Sequence, residues 1–86
     1  MSVPGRRVYN DRYAPGDYGK DSHGVWMARP PCEHPMLGSL DAHTVVEHED
    51  GTITVSPSIL IEMPWGEDQH ILRWHGYLER GIWREC

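Results

Sequence analysis

Every isoleucine and leucine of this 86-residue chain lies between Leu37 and Ile82. The first 30 residues offer only Val3, Val8 and Val25 as branched aliphatics. A segment so poor in apolar surface cannot build a core of its own. Charge divides at the same place. Residues 1–30 carry Arg6, Arg7, Arg12, Lys20 and Arg29 against Asp11, Asp17 and Asp21. The remainder carries three arginines against ten acids, which brings the net charge to −5. The expected organisation is a basic, tyrosine-dotted extended arm over residues 1–31 and a small acidic β domain over residues 32–86. Such an arm becomes ordered by folding over its own body or by lying on another chain.

Size sets the next limits. A single small domain with 38% hydrophobic residues, nine Gly and seven Pro buries a thin core and leans on a metal, a disulfide or a partner. It is too short for a Rossmann or TIM fold. Its longest aliphatic run, Ile59-Leu60-Ile61, falls far short of the roughly 20 residues of a membrane span. The start, MSVPGRR, has no apolar stretch of the kind that directs secretion.

The body reads as strands. Thr44 to His48 is β-branched, Glu49-Asp50-Gly51 is a turn, and Thr52 to Ser56 alternates with Ile53 and Val55 on the buried side. Pro57 is expected to break the ladder, with Ser58 to Glu62 resuming it. Met63 to Asp68 reads as a loop, Gln69 to Leu78 as the longest strand, and Ile82 to Glu85 as its return. Leu37 to Asp41 reads as one helical turn. The expected core is Val45, Ile53, Val55, Ile59, Ile61, Leu72, Trp74, Leu78 and Trp83. Trp65, Trp74 and Trp83 recur every nine residues without matching surroundings, so they read as core filler in a chain that has no Phe. The fold class is all-β, a small antiparallel sandwich or open barrel.

Two stretches carry a resemblance. Thr52-Ile53-Thr54-Val55-Ser56-Pro57-Ser58-Ile59-Leu60 resembles the "PTFSPSLL" segment of a family of small, uncharacterised phage and prophage proteins. Trp74 to Trp83 resembles that family's "CHSFVRDGRI", and Cys86 falls near its trailing "DC". The resemblance covers residues 43–86 and implies a phage origin and a β fold. The family's paired cysteines and later Cys-His suggest a small zinc-bound domain. Here Cys32-Glu33-His34 stands for the pair, and Trp74 takes the place of the Cys.

Structural zinc takes four S or N ligands in a tetrahedron. Cys32, His34, His75 and Cys86 are the candidates. A two-residue turn at Arg80-Gly81 would set His75 opposite Cys86, whereas a three-residue loop would set Trp74 there. A Cys32–Cys86 disulfide is the other use of the two thiols. The acidic hairpin around His43 and His48 offers no held base and no pocket. Neither serine of Ser56-Pro57-Ser58 sits in a nucleophile elbow, and no phosphate-binding glycine loop is present. Catalysis is therefore not expected, and the acidic body would repel nucleic acid.

The functional expectation is a non-enzymatic phage interaction protein, a minor virion, capsid-decoration or assembly component in a virion or host cytoplasm. Arg6, Arg7, Tyr9, Arg12, Tyr13 and Tyr18 would bind neighbouring subunits in an oligomeric assembly. The alternative is a zinc-stabilised intracellular phage module that binds a host protein.

Overall fold

In a computed structural model, which describes residues 2–68 and 70–86, the chain is all-β and no helix occurs among the described residues. Met1 and Gln69, the first residues of the expected arm and of the expected long strand, lie outside the described residues. The strands are β1 (Ser2–Pro4), β2 (Arg6–Arg7), β3 (Asp17–Lys20), β4 (Trp26–Ala28), β5 (Gly38–Ser39), β6 (Thr44–Glu47), β7 (Ile53–Trp65), β8 (His70–Glu79) and β9 (Ile82–Glu85). They form a five-stranded sheet in the order β1-β9-β8-β7-β6 and a four-stranded sheet in the order β2-β3-β4-β5. All pairings are antiparallel except β2 with β3.

The core fills the space between the sheets. Ile53, Val55, Ile59, Trp74, Leu78 and Trp83 come from the larger sheet, Tyr18 and Ala28 from the smaller, and Met36 and Leu40 from the segments on either side of β5. Strand alternation explains the first group, because β8 buries every second residue at Trp74, Gly76 and Leu78. Val45, Ile61 and Leu72 pack against the same cluster while half-buried. Trp74 and Trp83 meet edge to face, their centroids 5.2 Å apart at 87°, a favourable aromatic geometry. The third member of the nine-residue series departs from the core reading. Trp65 is 40% exposed and leans on the His34 ring at 5.5 Å.

Residues 1–31 are not a separate arm. They contribute β1, β2, β3 and β4, and Tyr18 and Ala28 lie in the core at 1% and 0% exposure. The physical reason is that the segment completes a core it could not build alone. Its few apolar groups suffice when the aliphatics come from the opposite sheet. β1 and β2 form one run that crosses between sheets at Gly5, where a Cβ would lie 2.7 Å from Trp83 Nε1 and 2.8 Å from the Gly16 carbonyl. Trp83 Nε1–H donates to that carbonyl at 2.9 Å. Buried Asp17 ties the segment together, accepting from the Arg6 guanidinium at 3.1 Å and from the Ala14 amide at 2.9 Å.

Three further elements differ from the sequence reading. Pro57 does not end its strand; β7 continues through it with a register shift between Val55 and Ile59, a bulge that places the proline where no ladder donor is needed. Met63 to Trp65, expected as loop, extends β7. Leu37 to Asp41 holds β5 instead of a helical turn. Two residues of strand are too short to show a period, and Leu40 is buried by tertiary packing.

Candidate functional site

The outer face of the five-stranded sheet carries the residues that alternate away from the core. From β8 these are Ile71, Arg73, His75, Tyr77 and Glu79. Pro64, Glu62 and Leu60 of β7 lie opposite the first three, and Arg84 and Ile82 of β9 lie opposite the last two. Val46 of β6 stands opposite Thr54. Five large apolar side chains on this face, Val46, Leu60, Ile71, Tyr77 and Ile82, are 39–54% exposed.

Cross-strand ion pairs punctuate the face. Arg73 donates through Nε and Nη2 to Glu62 at 3.0 and 2.7 Å. Arg84 pairs with Glu79 and sits 5.7 Å from the centroid of the Tyr77 ring. His75 Nε2 lies 2.9 Å from Ser58 Oγ. Near the hairpin tips, Val46, His48, Thr54, Glu79, Arg80 and Ile82 line a shallow depression.

The β7–β8 hairpin projects beyond its neighbours. β6 pairs only with residues 53–56 of β7, and β9 only with residues 76–79 of β8. From Leu60 to Trp65 and from His70 to Trp74 the two strands pair with each other, and among the described residues no third strand pairs with either side. The molecule is accordingly elongated, 44 × 30 × 22 Å.

The candidate residues of the sequence reading fall in several places. Tyr18 is buried in the core, which removes it from any contact surface, and burial pushes its phenol above the ordinary value. Arg7 is also turned inward. Its side chain is 13% exposed, bonded to Glu47 at 2.7 Å and to the Gly51 carbonyl at 2.9 Å. It lies between the Tyr9 and Trp26 rings, at 4.7 and 4.8 Å from their centroids. The Arg7 hydrogen bond holds the Glu47 carboxyl below its ordinary value. Tyr13 is half-buried, and its carbonyl accepts from Arg29 at 2.8 Å. Arg6, Tyr9 and Arg12 remain exposed. The arm reading differs from the structure at Arg7, whose side chain bonds Glu47 and Gly51 of the same chain, and at Tyr18, which packs in the core.

Of the four expected zinc ligands, the structure brings two together. The turn at Arg80-Gly81 has two residues, with φ of 47° and 77°, and the Cys86 amide donates to the His75 carbonyl at 2.9 Å. His75 and Cys86 are thus cross-strand neighbours on the outer face. Cys32 packs against the core, its thiol directed at the His34 carbonyl, and His34 lies against Trp65. Both cysteines are free thiols. Among the described residues no three His, Cys, Asp or Glu side chains converge as metal ligands would.

The sequence reading missed the outer face as a surface. Its signal was present in the polar-phase positions of β7 and β8, where Leu60, Ile71 and Tyr77 stand in place of polar residues. No protein-family model, curated protein or solved structure matches the chain.

Proposed function

We propose that this chain is a non-enzymatic interaction protein, a minor virion or assembly component that docks on neighbouring structural subunits through the outer face of its five-stranded sheet. The observation that carries the reading is the set of five exposed apolar side chains, Val46, Leu60, Ile71, Tyr77 and Ile82, that share one sheet face. Apolar groups interspersed with ion pairs on one face have the mixed composition of a protein contact surface. The resemblance of residues 43–86 to small phage proteins supports the finer assignment to a phage particle.

The test co-expresses the chain with the structural proteins of the genome that encodes it and measures its copy number on purified particles. Wild-type protein is expected on the particles at a constant ratio. A Leu60→Asp, Tyr77→Asp double variant, shown by circular dichroism to be folded, is expected to remain free. Wild-type protein that never joins a particle, or a double variant that joins it as well as wild type, overturns the proposal.

A further inference from the structure

Among the described residues the five-stranded sheet has four stretches of free backbone edge, and three are blunted. β1 turns the N–H and C=O groups of Ser2 and Pro4 outward, and Pro4 has no N–H. The β7 side of the projecting hairpin turns out Leu60, Glu62 and Pro64, again with a proline. β6 turns out Val45 and Glu47 over four residues that run into the acidic turn Glu47, Glu49 and Asp50. Proline, short length and charge are the usual means of keeping an edge from pairing.

The fourth edge, along β8 beyond the end of β9, has no proline, and its one charge, Arg73, is already paired with Glu62. The His75 carbonyl faces β9, because it accepts the Cys86 amide. In an antiparallel ladder alternate residues direct both backbone groups to the same side. Arg73 and Ile71 therefore present their N–H and C=O groups to solvent past the end of β9. Trp74, Leu72 and His70 direct theirs to β7. The free edge contains no Pro, Lys or Gly, and Ile71 is 54% exposed.

We propose that this edge pairs with the same edge of a second copy of the chain, joining two five-stranded sheets antiparallel across a two-fold axis at Leu72. The proposal deepens the reading of the chain as an assembly component and rests on it. In this register Ile71 of each copy stands opposite Arg73 of the other, so all four free residues pair and no like charges face one another. Leu72 meets its symmetry mate on the inner face, and His70 lies opposite Trp74. The neighbouring register, centred on Arg73, sets guanidinium against guanidinium. It also directs Ile71 at His75, whose carbonyl Cys86 already occupies. The edge is thus self-complementary in the register centred on Leu72, as a two-fold interface requires.

The experiment is sedimentation equilibrium of the full chain over a concentration series up to about 0.5 mM, a range suited to a short strand interface. Wild-type protein is expected to dimerise within it. Ile71→Pro removes an outward N–H that makes no bond among the described residues, so it leaves the β7–β8 ladder intact and abolishes the dimer. Because proline could perturb the strand, two further variants read the register by charge. Ile71→Lys sets a cation against Arg73 of the other copy and weakens the dimer about tenfold, summed over two equivalent sites; Ile71→Glu supplies a counter-charge and does not weaken it. A monomer at every concentration overturns the proposal. So does a dimer indifferent to Ile71→Pro, or one abolished by Glu47→Pro, which blocks the β6 edge instead. None of these results bears on particle binding by the Leu60→Asp, Tyr77→Asp variant, so the two readings fail separately.

Discussion

Arg7 is the side chain on which polar contact between the two sheets converges. It reaches from β2 to Glu47 of β6 and to the turn carbonyl of Gly51, with Tyr9 and Trp26 on its faces. Its guanidinium combines a charge-assisted hydrogen bond, a backbone acceptor and two ring faces, which a lysine cannot match at once. Arg7→Ala is expected to lower stability by about 2 kcal/mol, and Arg7→Lys to recover less than half of it, read from urea denaturation. The Glu47 end of this contact sets a pH dependence. Arg7 depresses the folded carboxyl, so its contribution is present above the ordinary carboxylate range and is lost as pH falls through the depressed value. Asp50 and Asp21 act with the same sign, the first through bonds from Thr52 and the second through the backbone amides of Val25 and His23. The melting temperature should therefore fall with pH on the acid side of about 4.5. The fall should be shallower in Glu47→Gln; a slope identical to wild type would remove Glu47 from the account. Trp83 is the second pivotal residue. Trp83→Phe strips the Nε1–H from the buried Gly16 carbonyl and thins the contact with Trp74. A loss of about 2–3 kcal/mol by chemical denaturation is the expected result.

Among the elements, the β8–β9 hairpin shows how local chemistry sets register. Arg80 and Gly81 both take positive φ, the conformation of a type I′ turn, which matches the twist of the flanking strands. A non-glycine residue at φ 47° is strained. Arg80→Asn, a residue that tolerates this region, should raise stability by about 0.5–1 kcal/mol in thermal denaturation. Unchanged stability would show that the turn stores no such strain. This hairpin also marks where the sequence was legible. Alternation at Ile53, Val55, Trp74, Leu78 and Trp83 identified the inward face, because strands of four or more residues display a period of two. β2, β4 and β5 are two or three residues long and display none. Val8, Tyr18, Ala28, Met36 and Leu40 are buried by the opposing sheet rather than by any pattern around them, so the sequence reading left them out. Edges escaped the sequence for a related reason. Which backbone groups face outward depends on where neighbouring strands stop, and no residue encodes that alone.

On the scale of the whole molecule, the first thirty residues and the rest are two halves of one core. Deleting residues 1–24 removes β1, β2 and β3 together with Val8 and buried Tyr18. The remaining chain is expected to lose its near-ultraviolet circular dichroism and its cooperative unfolding, since a small β protein has little stability to spare. A shortened chain that still melts cooperatively would restore the two-part organisation read from composition. The pairing of β1 with β9, Val3 opposite Trp83, has a consequence for the order of events as the chain is made. Residues 17–28 emerge early but have nothing to cover until Ile53 to Trp83 follow them. The larger sheet lacks its outermost pairing until the last strand is free. Long-range closure of this kind slows folding, because β1 has no partner until β9 has been made.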